Sequence, residues 1–462
     1  MWLAVSNVIL LNVRANVNLK IIYTAAHAGF PDTEPLGGGK AVADWLIREW
    51  RERQSFALAV LSPRSLGFCG DDAPANSSIP ALLQSAEEAA PQSTQRRFTE
   101  TPLHPEPRAR QSASLHKPLA EMHELEYARF CRQFERAATA EILRHDPRKC
   151  VVLSNDISEG PDFVALGERG YRIVTIFHVD VVDYFTKFYL HGLVKPETAA
   201  KFRRFSLLPD MLQLVFQKQF ECVRYSARLV VPSAPMQKTI LRCYPWCTTG
   251  KIVVLPWGDV SQRTTAGRDA CATKQFQIAE DEFVILTLSR LSPEKGLDRL
   301  LVALRDVETH GCAVRVFICG GPAYMKGQRY ARKLRRLAQK LDHIRVEFPG
   351  HVTGAEKAAL LQRADLFVSP SRHESYGLTI AEAEAAGCRI LSHAHYGARG
   401  RVVDCGDRRT FQRALVEEIA TGRPRSCSRG KPSVASPASP SCFDAAQQLA
   451  ELLVEVAYTP IP

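Results

Sequence analysis

The sequence predicts an α/β protein made of two Rossmann-like halves, each a doubly wound parallel sheet flanked by helices. Three observations lead there. The chain has 462 residues with a hydrophobic fraction of 45%, enough for two domains with substantial cores. Short apolar runs of buried-strand type recur along it, such as Arg172-Ile-Val-Thr-Ile-Phe177 and Phe283-Val-Ile-Leu-Thr-Leu288. Stretches of helical spacing alternate with these runs, and strands alternating with helices of this length pair in parallel.

In chain order, residues 1–19 form an N-terminal extension. It is apolar but interrupted by Asn7, Asn12, Arg14, Asn16 and Asn18. It lacks the basic start and cleavage site of a signal peptide and is too short and polar to span a membrane. An appended strand, a flexible tail and a misplaced start codon all fit it. Lys20 to Thr24 reads as the first strand, followed by a loop with His27, Asp32 and Gly37, Gly38 and Gly39, then a helix from Lys40 to Trp50. Glycines ahead of a helix let a ligand approach backbone N–H groups, although a plain flexible loop fits three adjacent glycines nearly as well. Residues 68–118 are rich in Ser, Pro, Ala, Gln and Arg and lack hydrophobic periodicity. They are expected to be a disordered insertion or an irregular loop. A long helix near Leu125 to Arg144 precedes strands Cys150 to Ser154 and Arg172 to Phe177, the latter ending at His178. Leu229 to Ser233 and Lys251 to Pro256 are the last strands of this half, which spans 20–258. Trp257-Gly258-Asp259 begins the crossing to the second domain, 259–420.

In the second half, the strand Phe283 to Leu288 runs into Ser289-Arg290-Leu-Ser-Pro-Glu294-Lys295-Gly296 and the helix Leu297 to Leu304. Val314 to Cys319 is a strand, a basic helix covers about Gln328 to Lys340, and Ile344 to Phe348 leads to the turn Pro349-Gly350-His351-Val352. A short helix, Lys357 to Arg363, and a strand, Ala364 to Ser369, bring the chain to Pro370-Ser-Arg-His-Glu374-Ser-Tyr-Gly377-Leu-Thr-Ile-Ala-Glu382. A strand Arg389 to Ser392 follows. Residues 421–442 read as a Pro/Ser-rich linker and 443–462 as a terminal helix.

The chemistry is concentrated in two strand-to-helix junctions. Arg290 and Lys295 lie on a loop at the carboxyl end of a strand, where open α/β sheets bind ligands; taken alone they also read as solvated surface cations. Glu374 and Glu382 flank a glycine turn that opens a helix, whose first N–H groups attract anions. Carboxylates on both sides of such a site suit a ligand with phosphates and hydroxyls, as in a nucleotide sugar. Thr379-Ile-Ala-Glu382 fits a capping box equally well, and Glu374 by itself is an ordinary loop carboxylate.

The run from Glu374 to Glu382 resembles the Glu-x7-Glu signature of the retaining glycosyltransferases of the group 1 family, and the resemblance is nearly continuous over 281–405. It implies the GT-B fold, two Rossmann-like domains facing across a cleft, with the terminal helix returning to the first. It implies a retaining, metal-independent transfer of a sugar from a nucleoside-diphosphate sugar to an acceptor hydroxyl, with no cofactor beyond that co-substrate. Glu374 would meet hydroxyls of the donor sugar and Glu382 the ribose diol. The amides of Tyr376, Gly377, Leu378 and Thr379 would meet the diphosphate, and Arg290 and Lys295 would neutralise it in place of a metal. His351 and Val352 would lie against the base. The Gly37–Gly39 loop would face the phosphates and the acceptor. His178 would support the reacting sugar, a purely structural histidine being the equal alternative. Retention in the family proceeds on the face the diphosphate leaves, with a leaving-group oxygen as base, so no protein nucleophile is assigned. The pattern departs at His393-Ala-His-Tyr-Gly-Ala-Arg-Gly400, which is short and lacks the family's acidic residue. That leaves open how the donor pocket closes and which sugar fits. A GT-B sugar-nucleotide epimerase and a non-catalytic nucleotide-sugar-binding protein are the alternatives.

The net charge of +11 favours anionic partners; it is spread along the chain with a concentration at Arg329 to Lys340, which also reads as a solvated basic face. No zinc finger, RNA-binding aromatic motif or basic tail supports nucleic-acid binding. Expected partners are the donor, an acceptor that is a sugar, glycolipid or small molecule, and an anionic membrane surface touched peripherally from the cytoplasm. The thirteen cysteines are scattered without a CxxC pair, which predicts reduced thiols and no structural metal; Cys319 and Cys388 read as small core residues. Replacing Gly70 to Ala113 by a short Gly/Ser linker should leave the melting temperature and donor binding nearly unchanged, since surface-loop length costs little. Aggregation, or lost donor binding in calorimetry, would make the segment part of the fold.

Overall fold

The computed structural model describes residues 19–28, 37–53, 56–68, 122, 124–190, 192–204, 210–258, 276–309, 311–323, 326–422 and 442–459. The expectations for the extension up to 18, for the insertion beyond 68, for the crossing from Asp259 and for most of the Pro/Ser-rich linker lie outside the described residues.

Among the described residues, twelve strands form two six-stranded sheets, parallel throughout, which is the class the sequence predicts. The first contains β1 (Lys20–Thr24), β2 (Ala57–Leu61), β3 (Cys150–Ser154), β4 (Arg172–Ile176), β5 (Arg228–Val231) and β6 (Ile252–Val254), in the order β2-β1-β3-β4-β5-β6. The second contains β7 (Phe283–Leu288), β8 (Val314–Cys319), β9 (Arg345–Gly350), β10 (Leu366–Ser369), β11 (Arg389–His393) and β12 (Arg401–Val403), in the order β12-β11-β10-β7-β8-β9. Every residue of β3, β7, β8 and β10 is buried, as expected when helices cover both faces of a parallel sheet. Even Arg315 is buried within β8, held by Glu347 and Glu282.

Strand order determines where the loops gather. In each sheet the order reverses once, between β1 and β3 and between β7 and β10. At such a switch point the connecting helices depart to opposite faces and leave a crevice beyond the carboxyl ends. The loops after β7 and β10 touch within that crevice. Gly296 has φ +64°, and a Cβ there would lie 2.3 Å from the Pro370 carbonyl oxygen. Only glycine allows both the backbone conformation and the approach.

Sequence reading missed several elements. β2 has an intermediate burial pattern and no clean alternation. The helices Val181–Phe188, Asp210–Tyr225, Ala234–Cys243 and Arg408–Thr421 were also not anticipated. The first helix begins at Gly38, not Lys40, so Gly38 and Gly39 form its opening turn instead of a loop before it. Thr379 is not a helix cap: Gly377, at φ +73°, is the N-cap of Leu378–Ala385. Cys319 is a core residue, whereas Cys388 is only partly buried.

The C-terminal helix Cys442–Tyr458 packs on the first domain. Ala445, Ala446, Leu449 and Leu453 join the cluster around Ile21, Trp45 and Trp50, and Trp50 Nε1 donates to the Ala446 carbonyl at 3.2 Å. Tyr376 and Ala381 of the second domain belong to the same cluster.

Candidate functional site

The second-domain half of the site is built at the β7/β10 switch point. The loop after β7 carries Arg290 and Lys295, and the loop after β10 carries Glu374. Lys295 Nζ donates to Glu374 Oε1 at 2.7 Å, and Arg372 N donates to the Glu294 carbonyl at 2.8 Å. The two loops are therefore joined through a side-chain pair and a main-chain bond. Burial works against charge on Glu374, but the Lys295 ammonium beside it outweighs burial and holds the carboxyl below its usual range. Arg290 Nη2 lies 3.7 Å from Glu294 Oε1. Ser289, Lys295, Glu374 and Thr379 line a small cavity there. The Leu378 and Thr379 amides open the helix Leu378–Ala385, ahead of its first main-chain bonds from Ile380 and Ala381 to the Gly377 carbonyl. Glu382 is buried on this helix and accepts from Lys357 Nζ at 2.9 Å.

The first domain contributes a buried polar chain at the β1/β3 switch point. His27 follows β1, while Asn155 and Asp156 follow β3. His27 Nδ1 donates to Asp156 Oδ2 at 3.3 Å, and Nε2 lies 3.6 Å from Glu159 Oε1. Asn155 Nδ2 donates to Asp156 Oδ2 at 3.0 Å, and Tyr23 Oη donates to Asn155 Oδ1 at 2.5 Å. His178 Nε2 donates to the same Oδ1 at 3.1 Å, and its ring lies 6.0 Å from that of Trp257. Burial alone would lower the His27 pKa, yet Asp156 and Glu159 together raise it to about 9, so the ring is an imidazolium at neutral pH. His178 lacks such an excess of partners, and burial lowers it to about 4. The two histidines therefore carry different charges at the two ends of one hydrogen-bonded chain, as their neighbours dictate.

The two halves meet directly. A Cβ on Gly37 would lie 3.6 Å from Arg290 Nε, one on Gly38 3.1 Å from Leu378 Cδ1, and one on Gly39 3.4 Å from both Asp156 Oδ1 and His178 Cδ2. Further contacts fasten the domains. Tyr376 Oη accepts from Gly258 N at 2.8 Å. Tyr396 Oη donates to Asp183 Oδ2 at 3.0 Å and lies 2.9 Å from Thr239 Oγ1.

The structure thus brings together Arg290, Lys295, Glu374, His178, Gly37, Gly38, Gly39, Leu378 and Thr379. The Tyr376–Gly377 peptide lies beneath Gly397, where a Cβ would come within 2.3 Å of Tyr376 C. Val352 is a core residue beside Phe317, Cys319 and Leu360, whereas His351 is exposed. Their turn follows β9, which is tied to the Arg290 loop by Gly320 N donating to the Gly350 carbonyl at 2.6 Å and by Gly320 packing on the Ser289 carbonyl. Sequence reasoning left Asn155, Asp156, Glu159 and Tyr396 without a role. The available signal was polar residues directly after the buried strand β3.

Residues 272–422 match the family model described as Glycosyl transferases group 1. The match covers less than half of the chain and falls in the part that carries β7 to β12. A D-inositol 3-phosphate glycosyltransferase of Geodermatophilus obscurus is 32% identical over 191 residues, 40% of this chain and 42% of that protein. An alpha-monoglucosyldiacylglycerol synthase of Streptococcus pneumoniae is 34% identical over 120 residues, 26% of each. These alignments span less than half the length of the relatives. Among solved structures, sucrose-phosphate synthase of Thermosynechococcus elongatus superposes with a TM-score of 0.56 at 16% identity, over 95% of this chain and 96% of that one. Alr3699/HepE of Anabaena, in complex with UDP-glucose, gives 0.51 at 15% identity, over 95% and 97%. The shared fold is the two-domain GT-B arrangement.

The His27 cluster gives stability a defined pH dependence. Its pKa rises from 6.5 to about 9 on folding, so its contribution is complete below 6.5 and disappears as pH climbs through 9, a change of at most about 3 kcal/mol. Thermal melting from pH 6.5 to 9 should show wild type losing more stability than His27→Gln. Parallel curves would mean that His27 is not held as an imidazolium.

Proposed function

We propose that this chain is a retaining glycosyltransferase that moves a sugar from a nucleoside-diphosphate sugar to an acceptor hydroxyl. The observation that supports this reading is the convergence of Arg290, Lys295, Glu374 and the Leu378 and Thr379 amides at one switch point, opposite Gly37–Gly39 of the other domain. Breaking the bond to the sugar builds negative charge on the diphosphate. Arg290 offers a planar fork and Lys295 a point charge to receive it, with the helix amides alongside. Charges fixed in advance stabilise the transition state without reorganisation.

Glu374, kept ionised by Lys295, accepts from hydroxyls of the sugar. Glu382 takes the ribose diol, and neutral His178 offers Nδ1 as an acceptor, its Nε2 proton being committed to Asn155. The acceptor enters from the first domain, and its proton passes to the departing diphosphate on the same face. Asp156 and Glu159 are engaged with His27, so the described carboxylates near His178 do not offer the acid and base pair an epimerase needs. UDP-glucose, held by one structural neighbour, is the first donor to try. An inositol phosphate and a diacylglycerol lipid, suggested by the relatives' names, are the first acceptors.

Exposed Lys326, Arg329, Arg336 and Lys340 line a groove of about 800 Å³ together with Arg372. This face suits an anionic membrane surface, where each cation contributes about 1 kcal/mol at low salt. Wild type should co-sediment with phosphatidylglycerol vesicles at low salt, and Arg329→Glu combined with Arg336→Glu should weaken this at least tenfold. Equal sedimentation of both proteins would show that this face does not carry membrane binding.

The donor reading is tested in transfer assays with EDTA present. Arg290→Ala and Lys295→Ala should each lower kcat/KM by about 2–4 kcal/mol of transition-state stabilisation, with folding unchanged. Near-normal turnover by either variant would sink the assignment, and full loss of wild-type activity in EDTA would show that a metal carries the diphosphate. Glu382→Gln should weaken binding of nucleotide sugar and free nucleoside diphosphate alike, whereas Glu374→Gln should weaken only the former. The same loss for both ligands in both variants would refute that division.

A further inference from the structure

The loop between β11 and β12 is where the chain departs from the pattern it resembles, and it is held rigidly. Ser392 Oγ donates to the Arg399 carbonyl at 2.7 Å and accepts from Arg399 N at 3.3 Å, closing the base of the loop. Gly397 N donates to the Glu374 carbonyl at 3.1 Å, which lays the loop on the signature turn. Tyr396 is fixed from the other side by Asp183 and Thr239, and Lys187 Nζ lies 4.6 Å from its ring centroid. His395 sits between the base of the loop and these anchors, and its carbonyl accepts from Ala398 N at 3.1 Å.

The His395 imidazole lies close enough to Glu374 and Lys295 to feel both charges, and burial lowers its pKa to about 4. It is neutral at physiological pH, with one N–H to give and one lone pair to fill. Both ring nitrogens are shielded from solvent, and neither has a hydrogen-bond partner among the described residues. A shielded polar group without a partner is costly and calls for a reason. His373 shares this property, but the rings of Tyr184, Phe188 and Tyr396 surround it and Asp183 Oδ2 lies 3.7 Å from its Nδ1. It belongs to the fastening between the domains. His395 belongs to the loop that Gly397 lays on Glu374, one of the residues lining the small cavity.

We propose that His395 is a specificity-determining residue that reads hydroxyls of the donor sugar beside Glu374, donating one hydrogen bond and accepting another. It is carried by the loop that departs from the resembled pattern. A neutral imidazole both donates and accepts, whereas a carboxylate only accepts, so the two satisfy different patterns of hydroxyls. A sugar epimer that reverses one hydroxyl leaves one ring nitrogen unpaired, and sites built on hydrogen bonds reject such ligands strongly. This inference rests on the donor reading given above.

Calorimetry on the full chain separates the two. Wild type is first titrated with UDP, ADP and GDP, then with the glucose, galactose and mannose conjugates of the nucleotide that binds. The expected result is a preference for one sugar. His395→Ala should lose roughly tenfold or more in affinity for that conjugate, as expected for one to two hydrogen bonds. Affinity for the free nucleoside diphosphate should not change, and the preference among sugars should narrow. His395→Gln keeps a donor and an acceptor and should recover part of both. Wild type that binds no nucleotide and no nucleotide sugar would overturn the donor reading, and this inference with it. Wild type that binds normally while His395→Ala and His395→Gln keep the full sugar preference would overturn the role of His395 alone. So would an equal loss for nucleoside diphosphate and conjugate, which marks a structural part in the loop.

Discussion

The bond from Lys295 to Glu374, 2.7 Å long and largely screened from water, is the interaction on which the site depends. It joins the loops that follow β7 and β10, the two strands flanking the switch point of the second sheet. Either charge alone in so buried a place would cost several kcal/mol. Paired with the ammonium, the Glu374 carboxyl is held ionised. The backbone makes the same connection at Gly296, whose close approach to Pro370 lets no side chain intervene. Cation and carboxylate are therefore held against each other by the fold itself.

The first domain answers this with a different kind of order. Its loops are held by a chain of polar side chains running from His27 through Asp156 and Asn155 to His178, with Tyr23 bonded at its middle. The chain makes His27 a cation and leaves His178 neutral, because one ring is flanked by carboxylates and the other by an amide and an indole. Buried polar networks of this type are stable only when their members are satisfied, so the chain also fixes the orientation of the His178 ring. Gly37 to Gly39 bring this half against Arg290 and Leu378 with no side chain between. Tyr376 and Tyr396 then tie the second domain back to the first. Both tyrosines come from loops that bear on the site, so the fastening of the domains and the shape of the pocket are coupled.

The α/β class, the two halves and the positions of most strands were legible in the chain, because buried parallel strands are near-continuous apolar runs and β3, β7 and β10 are written that way. So were the loops bearing Arg290, Lys295 and Glu374, since those charges stand directly after such runs. β2 is not legible because an edge strand of intermediate burial carries no clean pattern, and the capping-box spacing of Thr379 and Glu382 misleads because Gly377 holds the cap. Only the tertiary structure decided which distant polar residues belong together. Asp156 meets His27 across 129 positions, and Asp183 meets Tyr396 across 213. A lone polar residue after a strand looks the same in sequence whether it faces solvent or a partner. The difference lies in strand order, which sets two carboxyl ends side by side, and in the docking of one sheet's loops on the other's. Neither leaves a periodic mark on the chain.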